Sequence, residues 1–273
     1  MSVYQDALLG CPSGSLGLKS CYLIMKTQSL SVVLIAHNEE QTIGQMASGM
    51  LEAYPDEILE VVVVDDASTD KTATIVEALM AKNHKLRLVR RVPPCGVGRA
   101  LKDGYKNVSA SAEYIISMDS DFLENIKEVC GLINKIDEGC DGVIGSRFIA
   151  GGKLINYPRQ KKIMNRLFHI IVRTLFRIKQ HDLTNNFKLY KALIFKTLPW
   201  KSTGYSMNAE TGILPILAGY DIKEAPVSWI GRTEAMGASK FRLFKSGLNY
   251  VSVIAHSFWF LLHKFAYAKK KID

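Results

Sequence analysis

The sequence lacks the motifs that identify several common classes of enzyme and metal-binding protein. Its five cysteines are scattered, with no Cys-x-x-Cys pair, which argues against a zinc site or a disulfide framework and is typical of a reducing compartment. It has neither a P-loop nor a Gly-x-Ser-x-Gly elbow, which excludes P-loop nucleotide hydrolases and α/β-hydrolases. No glycine-rich turn follows the first predicted strand, so dinucleotide-dependent dehydrogenases are excluded as well.

Long apolar runs are also missing. The nearest candidate, 248–262, is interrupted by four polar residues, and a membrane-spanning helix needs about 20 consecutive apolar residues. The first 24 residues have no apolar stretch long enough for a secretory signal. We therefore expect a protein that is not secreted and that is peripheral or monotopic at the cytoplasmic face of a membrane, with residues 1–28 forming a disordered extension.

Acidic residues are absent between Asp141 and Asp182, although the chain has 26 of them against 35 lysines and arginines, a net charge of +9. The same stretch holds nine cations: Arg147, Lys153, Arg159, Lys161, Lys162, Arg166, Arg173, Arg177 and Lys179. A block of this kind indicates a polyanionic partner, such as nucleic acid, a membrane surface or a phosphorylated substrate.

Residues 160–178 have the periodicity of an amphipathic helix. Basic residues recur on one face at spacings of three and four, and branched apolar residues cover the other. An ordinary surface helix would carry charges of both signs, so we predict that this helix lies in a lipid interface. The aromatic-rich segment 241–273, which ends in three lysines, is predicted to be a second membrane contact.

The first half of the chain alternates between apolar strand-like runs and helical patterns, which predicts an α/β fold with a mainly parallel sheet. Polar residues follow each predicted strand: Asn38-Glu39, Asp65-Asp66, Asp119-Ser120-Asp121 and Ser146-Arg147. Ligands bind at this edge of such sheets. Two carboxylates at positions i and i+2 can converge on one hard cation, which would neutralise a leaving nucleoside diphosphate.

Nine motifs in order resemble the family-2 inverting glycosyltransferases of the GT-A fold, especially dolichol-phosphate mannose synthases and polyprenyl-phosphate glycosyltransferases. The resemblance covers about residues 30–240 and is carried by segments that begin at Asn38, Asp65, Gly96, Met118, Gly145, Asn165, Asp182, Gly204 and Arg232.

The resemblance implies a role for each matching residue. Those expected to bind the sugar nucleotide are Ala36, Asn38, Glu39, Asp65, Asp66, Gly98, Asp119, Ser120, Arg232 and Lys240. Asp119 and Asp121 would hold Mg or Mn, and Arg147, Lys161 and Asn165 would bind an acceptor phosphate. Asp121 and Arg147 would be catalytic.

Three positions depart from the pattern of these relatives. Leu123 stands where some of them have a glutamine that contacts the metal, while Lys161 replaces an arginine and Asn165 a serine. We therefore expect a metal that binds weakly until the donor arrives.

The sequence thus predicts a GT-A domain over 29–240, with a membrane-associating segment over 241–273. Its expected reaction transfers mannose or glucose, with inversion, from a GDP- or UDP-sugar to a polyprenyl or dolichyl phosphate. Two alternatives remain open: transfer to a hydroxyl of a cell-envelope glycan, and a catalytically silent scaffold that binds lipid or nucleic acid. No nucleic acid partner is expected for the enzyme.

Overall fold

A computed structural model describes residues 28–231 and 243–263, with side chains from 249 onward in the second range. Nine strands are present in these ranges: β1 (Leu30–Ala36), β2 (Ile58–Asp65), β3 (Leu86–Arg90), β4 (Tyr114–Asp119), β5 (Gly142–Ser146), β6 (Lys153–Ile155), β7 (Lys188–Lys191), β8 (Ile222–Pro226) and β9 (Ser228–Ile230). The α-helices there are α1 (Ile43–Ala53), α2 (Thr72–Met80), α3 (Val97–Asn107), α4 (Val129–Asp137), α5 (Arg159–Phe176), α6 (Ala192–Thr197), α7 (Met207–Leu217) and α8 (Leu243–His263). The expected disordered extension lies outside the described residues, apart from Gln28.

Seven strands form one sheet in the order β3-β2-β1-β4-β7-β5-β8. All neighbouring strands are parallel except β7, which runs antiparallel between β4 and β5. The predicted mainly parallel sheet is therefore confirmed, and β7 begins at the edge at which β4 and β5 end.

Helices cover both faces of the sheet, because successive side chains of a strand point to opposite faces. On β1, Val32 and Leu34 belong to the core shared with α1, α2 and α4, whereas Val33 belongs to the core shared with α3, α6 and α7. All three side chains are fully buried. Two apolar layers thus hold the sheet rigid, and its polar edge is left for ligands.

Three local features differ from the sequence-based expectation. The apolar pattern of residues 123–136 predicts a single helix, but the structure has a 3-10 helix (Leu123–Glu128) followed by α4. Short strands β6 and β9 pair in parallel as a separate two-stranded sheet, and α6 follows β7 directly. These elements are too short for periodicity to reveal them.

Helix α5 confirms the predicted helix. In an ordinary surface helix the apolar side would face the protein and the basic side the solvent, but here both sides are partly reversed. His169 of the basic stripe is buried against the protein. Six apolar side chains are instead exposed, at 40–66%, and form what we call the α5 apolar face: Ile163, Met164, Leu167, Ile170, Ile171 and Leu175.

Helix α8 lies beside α5 and runs in the same direction. Phe168 packs against Tyr250, and Phe176, eight residues later, packs against Phe258 with ring centroids 4.8 Å apart. The α8 apolar face consists of the exposed side chains Val251, Phe258, Trp259 and Leu262. Within the described ranges, neither these helices nor any other is long and apolar enough to cross a membrane.

Candidate active site

The candidate site lies at the carboxyl edge of the parallel strands. Strand register places Ala36 beside Asp65, and Ile35 beside Asp119. The ends of β1, β2 and β4 therefore meet at one level, as expected for ligand sites in open α/β sheets.

The loops after β1 and β2 are joined by hydrogen bonds from backbone amides to side chains. Asn38 N donates to Ser68 Oγ at 2.9 Å, and Glu39 N donates to Thr72 Oγ1 at 2.9 Å. Thr69 N donates in return to Asn38 Oδ1 at 2.7 Å. Asn38 is in the left-handed region, with φ of 54°, a conformation that asparagine tolerates better than most residues. Asn38 thus shapes the loop through its backbone and its side chain, and Glu39 does so through its backbone.

Asp66 connects the β2 loop to the segment before α3. Its carboxylate accepts from Gly96 N at 2.6 Å and forms a buried ion pair with Arg91, which also contacts Asp103 at 2.6 Å. Asp65 accepts from Ser68 N at 3.1 Å. Asp66 therefore joins the β2 loop to the segment before α3, and Asp65 fixes the β2 loop itself.

Two glycines at the start of α3 allow the backbone of residues 202–203 to approach closely. A Cβ on Gly96 would lie 2.5 Å from Thr203 O, and one on Gly98 would lie 2.7 Å from Ser202 O. Such distances exclude any side chain. The glycine spacing therefore serves contact between two loops, with Arg99 N donating to Thr203 O at 3.2 Å.

Glu210 of α7 and His256 of α8 form a buried pair that fixes the loop containing residues 201–203. The carboxylate of Glu210 accepts from Lys201 N at 3.0 Å and from Ser202 N at 2.8 Å. It also contacts His256 Nδ1 at 2.7 Å. Although burial raises the pKa of Glu210, these hydrogen bonds lower it below its usual value. Helix α8 is thus connected to the loop that rests on Gly96 and Gly98.

Asp119 is the last residue of β4, and Ser120 and Asp121, which follow it directly, are both buried. Burial and the negative charge of Asp121 raise the pKa of Asp119 to about 6, against the opposing hydrogen bond that Asn186 Nδ2 donates to Asp119 Oδ1 at 2.9 Å. Two adjacent carboxylates that disfavour each other's charge are stabilised by a cation.

Arg147 follows β5 and is only 8% exposed. Its Nε donates to Asp182 Oδ2 at 2.6 Å and its Nη2 to Asp182 Oδ1 at 2.8 Å, with Thr184 Oγ1 a further acceptor at 3.2 Å. Although burial raises the pKa of Asp182, the Arg147 charge lowers it below its usual value. The guanidinium is thus fixed by a bidentate pair, and its charge remains at the site edge.

Lys161 and Asn165 lie in the first two turns of α5. The Lys161 ammonium stands 5.4 Å from the ring centre of Tyr157 and 5.5 Å from that of Trp229. Burial and then the Arg147 charge lower its pKa. Asn165 Nδ2 donates to Tyr157 Oη at 3.3 Å, and Asn165 Oδ1 accepts from Thr184 Oγ1 at 3.1 Å.

The structure therefore brings most of the predicted residues to one edge of the sheet, whereas Arg232 and Lys240 lie outside the described residues. Sequence reasoning missed the partners that fix the predicted residues: Arg91, Tyr157, Asn186, Trp229 and His256. None is adjacent in sequence to the group it holds. Asp182 was part of a recognised motif, but its pairing with Arg147 had no sequence signal.

The residues at this edge suit a divalent cation of the Mg or Mn type. Asp119 and Asp121 provide the hard oxygen donors that such ions prefer, and the raised pKa of Asp119 shows that its charged form lacks full compensation. Within the described residues no cluster of three or more His, Cys, Asp or Glu side chains has a metal-binding arrangement. A cation here would therefore depend on further ligands.

Several known proteins similar to this chain are named as glycosyltransferases. "Polyprenol monophosphomannose synthase" of Mycolicibacterium smegmatis is 24% identical over 222 residues, covering 80% of this chain and 82% of its own. "Dolichol-phosphate mannosyltransferase" of Pyrococcus furiosus is 31% identical over 137 residues, 50% of this chain and 38% of its own.

Among solved structures, glucosyl-3-phosphoglycerate synthase from Mycobacterium tuberculosis, in complex with Mn2+, uridine diphosphate and phosphoglyceric acid, superposes with a TM-score of 0.64 at 20% identity. The match covers 84% of this chain and 78% of that one. This likeness confirms the expected GT-A fold. The profile described as "Glycosyl transferase family 2" matches residues 31–198, more than half of the chain. The chain therefore belongs to glycosyl transferase family 2 and is a glycosyltransferase.

Proposed function

We propose that this glycosyltransferase moves mannose or glucose from a GDP- or UDP-sugar to a polyprenyl phosphate at the cytoplasmic face of a membrane. One observation carries the proposal. The Asp119–Asp121 carboxylates, the cations Arg147 and Lys161, and the start of the helix with the α5 apolar face all lie at one edge of the protein. The names of two relatives quoted above support the same acceptor.

The donor half of the reaction needs a place for the nucleoside diphosphate. The loops after β1, β2 and β3 offer this place, since Asn38 N joins the first to the second and Asp66 joins the second to the third. Asp119 and Asp121 would hold Mg or Mn, which when bound supplies positive charge to the leaving diphosphate. We also propose that Arg232 and Lys240 contact the diphosphate.

The acceptor half needs no strong general base if the acceptor is a phosphate monoester, because that group is already an anion near neutral pH. Its oxygen must be held in line behind the anomeric carbon. Lys161 is suited to this task, because its ammonium lies beside the rings of Tyr157 and Trp229 and interacts electrostatically with the Asp119–Asp121 pair. Arg147, fixed by Asp182, adds a second positive charge.

The membrane half of the proposal rests on the two apolar faces of α5 and α8. A helix whose apolar side faces outward and whose flanks are basic is suited to the headgroup boundary of a bilayer. Arg166 and Arg177 are exposed on and just after α5 and would contact anionic lipids. This position would bring the phosphate of a membrane lipid to the level of Lys161.

Purified protein incubated with labelled GDP-mannose, UDP-glucose or UDP-galactose, a polyprenyl phosphate in detergent, and Mg or Mn tests the proposal. A labelled lipid that is released by mild acid is the expected product. The matching polyprenol without its phosphate is the control acceptor and should give none.

Two results would contradict it. Transfer to glycan hydroxyls but not to lipid phosphate would replace the acceptor class. Failure to bind any nucleoside diphosphate with metal, together with salt-sensitive binding of RNA or lipid alone, would favour a silent scaffold.

A further inference from the structure

Asn186 stands directly beside Asp119. Ser117 of β4 pairs with Lys188 of the antiparallel strand β7, and two further steps along each strand bring residue 119 opposite residue 186. The backbone of Asn186 is fixed there, because Ser117 Oγ donates to Asn186 O at 2.9 Å. Topology alone therefore places an amide side chain next to the first carboxylate of the pair.

The side chain of Asn186 is aimed at that carboxylate and is shielded from water. The residue is 3% exposed, and its Nδ2 donates to Asp119 Oδ1 at 2.9 Å. Its Oδ1 is buried and accepts no hydrogen bond from any described residue. Leaving a buried amide oxygen without a partner costs free energy, so this orphaned acceptor indicates a ligand.

Leu123, two residues after Asp121 and at the start of the 3-10 helix, has no side-chain oxygen that could bind a cation. The carboxylates of Asp119 and Asp121 by themselves give only two side-chain ligands, whereas Mg and Mn take about six oxygen ligands. An amide oxygen is among the hard donors that these ions accept. Asn186 Oδ1 is a spare oxygen of this kind at the side of Asp119.

We propose that Asn186 completes the divalent-cation site, with Nδ2 orienting Asp119 and Oδ1 supplying the third protein oxygen, to the ion or to a water bound to it. This cation is the Mg or Mn ion of the proposed function, on which the inference rests. Hydrogen bonds that orient a ligand commonly change metal affinity by about 10–100-fold.

The test is a titration of Mn2+ into the full-length protein, with free Mn2+ followed by electron paramagnetic resonance, alone and with UDP or GDP. Asn186→Ala is expected to weaken Mn2+ binding by at least about tenfold. Leu123→Gln placed on Asn186→Ala restores an oxygen donor near Asp121 and is expected to recover part of the affinity. Asn186→Asp keeps an oxygen donor at this position, adds negative charge, and should bind Mn2+ at least as well as the wild type.

Asn185→Ala is the matched control, because Asn185 Nδ2 donates to Gly145 O at 2.7 Å, and Gly145 is part of β5 and not of the carboxylate pair. It should lower the thermal midpoint yet keep Mn2+ affinity within twofold of the wild type. The proposal is overturned if Asn186→Ala also stays within twofold, or if the wild type binds no Mn2+ under any condition. The lipid-phosphate transfer assay is scored separately, so a wild type that makes the lipid product while Asn186→Ala binds Mn2+ normally would reject this inference alone.

Discussion

The proposed donor side and the proposed acceptor side of the site are held together mainly by different kinds of interaction. On the donor side, backbone amides donate to short polar side chains of the neighbouring loop, as at Asn38, Glu39 and Gly96, and the Asp66–Arg91 ion pair adds to them. On the acceptor side, charged side chains are buried against each other or against rings, as in Arg147 with Asp182 and Lys161 with Trp229.

The two kinds of interaction have different physical consequences. Hydrogen bonds from backbone amides within compact loops fix the loop conformation and leave few polar backbone groups unpaired. A buried ion pair fixes a charge, at the cost of removing both partners from water, so loss of one partner leaves the other uncompensated. We therefore expect the acceptor side to be more sensitive to single charge deletions in stability, and the carboxylate pair to be more sensitive in activity.

The largest expected effect concerns the carboxylates between the two sides. Asp121→Ala should lower the rate of sugar transfer on the order of 10³-fold, because the charge on the leaving diphosphate loses its cation. Glu124→Ala, which removes an exposed carboxylate three residues away, is the matched control and should retain activity. Initial rates at saturating donor and metal measure both. Equal rates for the two variants would remove Asp121 from the reaction.

The second effect tests the buried pair of the acceptor side. Asp182→Ala should reduce the free energy of unfolding by about 3–5 kcal/mol, because the Arg147 guanidinium stays buried without its partner. Asp221→Ala breaks an exposed pair with Lys223 and should change it by no more than about 0.5 kcal/mol. Urea unfolding at neutral pH compares the two. A small change for Asp182→Ala would mean that water reaches Arg147.

The third effect concerns Lys188 of β7, which lies between the two sides. Burial lowers the pKa of Lys188 to about 7 in the folded protein, whereas an unfolded lysine has a pKa of about 10.4. Between these values the unfolded chain binds a proton that the native protein does not, so the stability contribution rises with pH by up to about 1.4 kcal/mol per unit.

Lys188→Met removes this pH-dependent contribution to the free energy of unfolding. The free energy of unfolding of the wild type, minus that of Lys188→Met, should therefore increase from pH 7.5 to 9. Urea titrations across this range measure the difference. Lys196→Met, which removes an exposed ammonium from α6, should stay parallel to the wild type. A difference for Lys188→Met that stays constant with pH would show that the native lysine remains charged.

The smallest effect on stability comes from the α5 apolar face. Ile163→Glu with Ile170→Glu should leave the free energy of unfolding within about 0.5 kcal/mol, since both side chains are more than 60% exposed. Binding to vesicles of phosphatidylglycerol and phosphatidylcholine, measured by flotation, should fall strongly. Leu193→Glu changes an exposed leucine on α6 and should bind vesicles as the wild type does. Unchanged flotation of the double variant would place the lipid contact elsewhere.

Much of the sheet was predictable because buried strands leave largely apolar runs such as 30–36 and 58–64. The antiparallel direction of β7 was not, since direction depends on how the chain returns after α5. The short strands β6 and β9 also gave no signal, because three residues are too few for a periodic pattern. The basic stripe of α5 was read correctly as a helix face, but the burial of His169 depends on its contacts with Asn165 and Leu183.

The sequence by itself determined the α/β alternation, the family and the positions of Asp119 and Asp121 at a strand end, because each follows from local periodicity or from motifs a few residues long. Only the tertiary structure decided which group each charge meets. Arg147 meets Asp182, 35 residues away, and Asp119 meets Asn186, 67 residues away. Both encounters result from β7 entering the sheet between β4 and β5, and pairing at such separations depends on the folded topology, which no short stretch of sequence encodes.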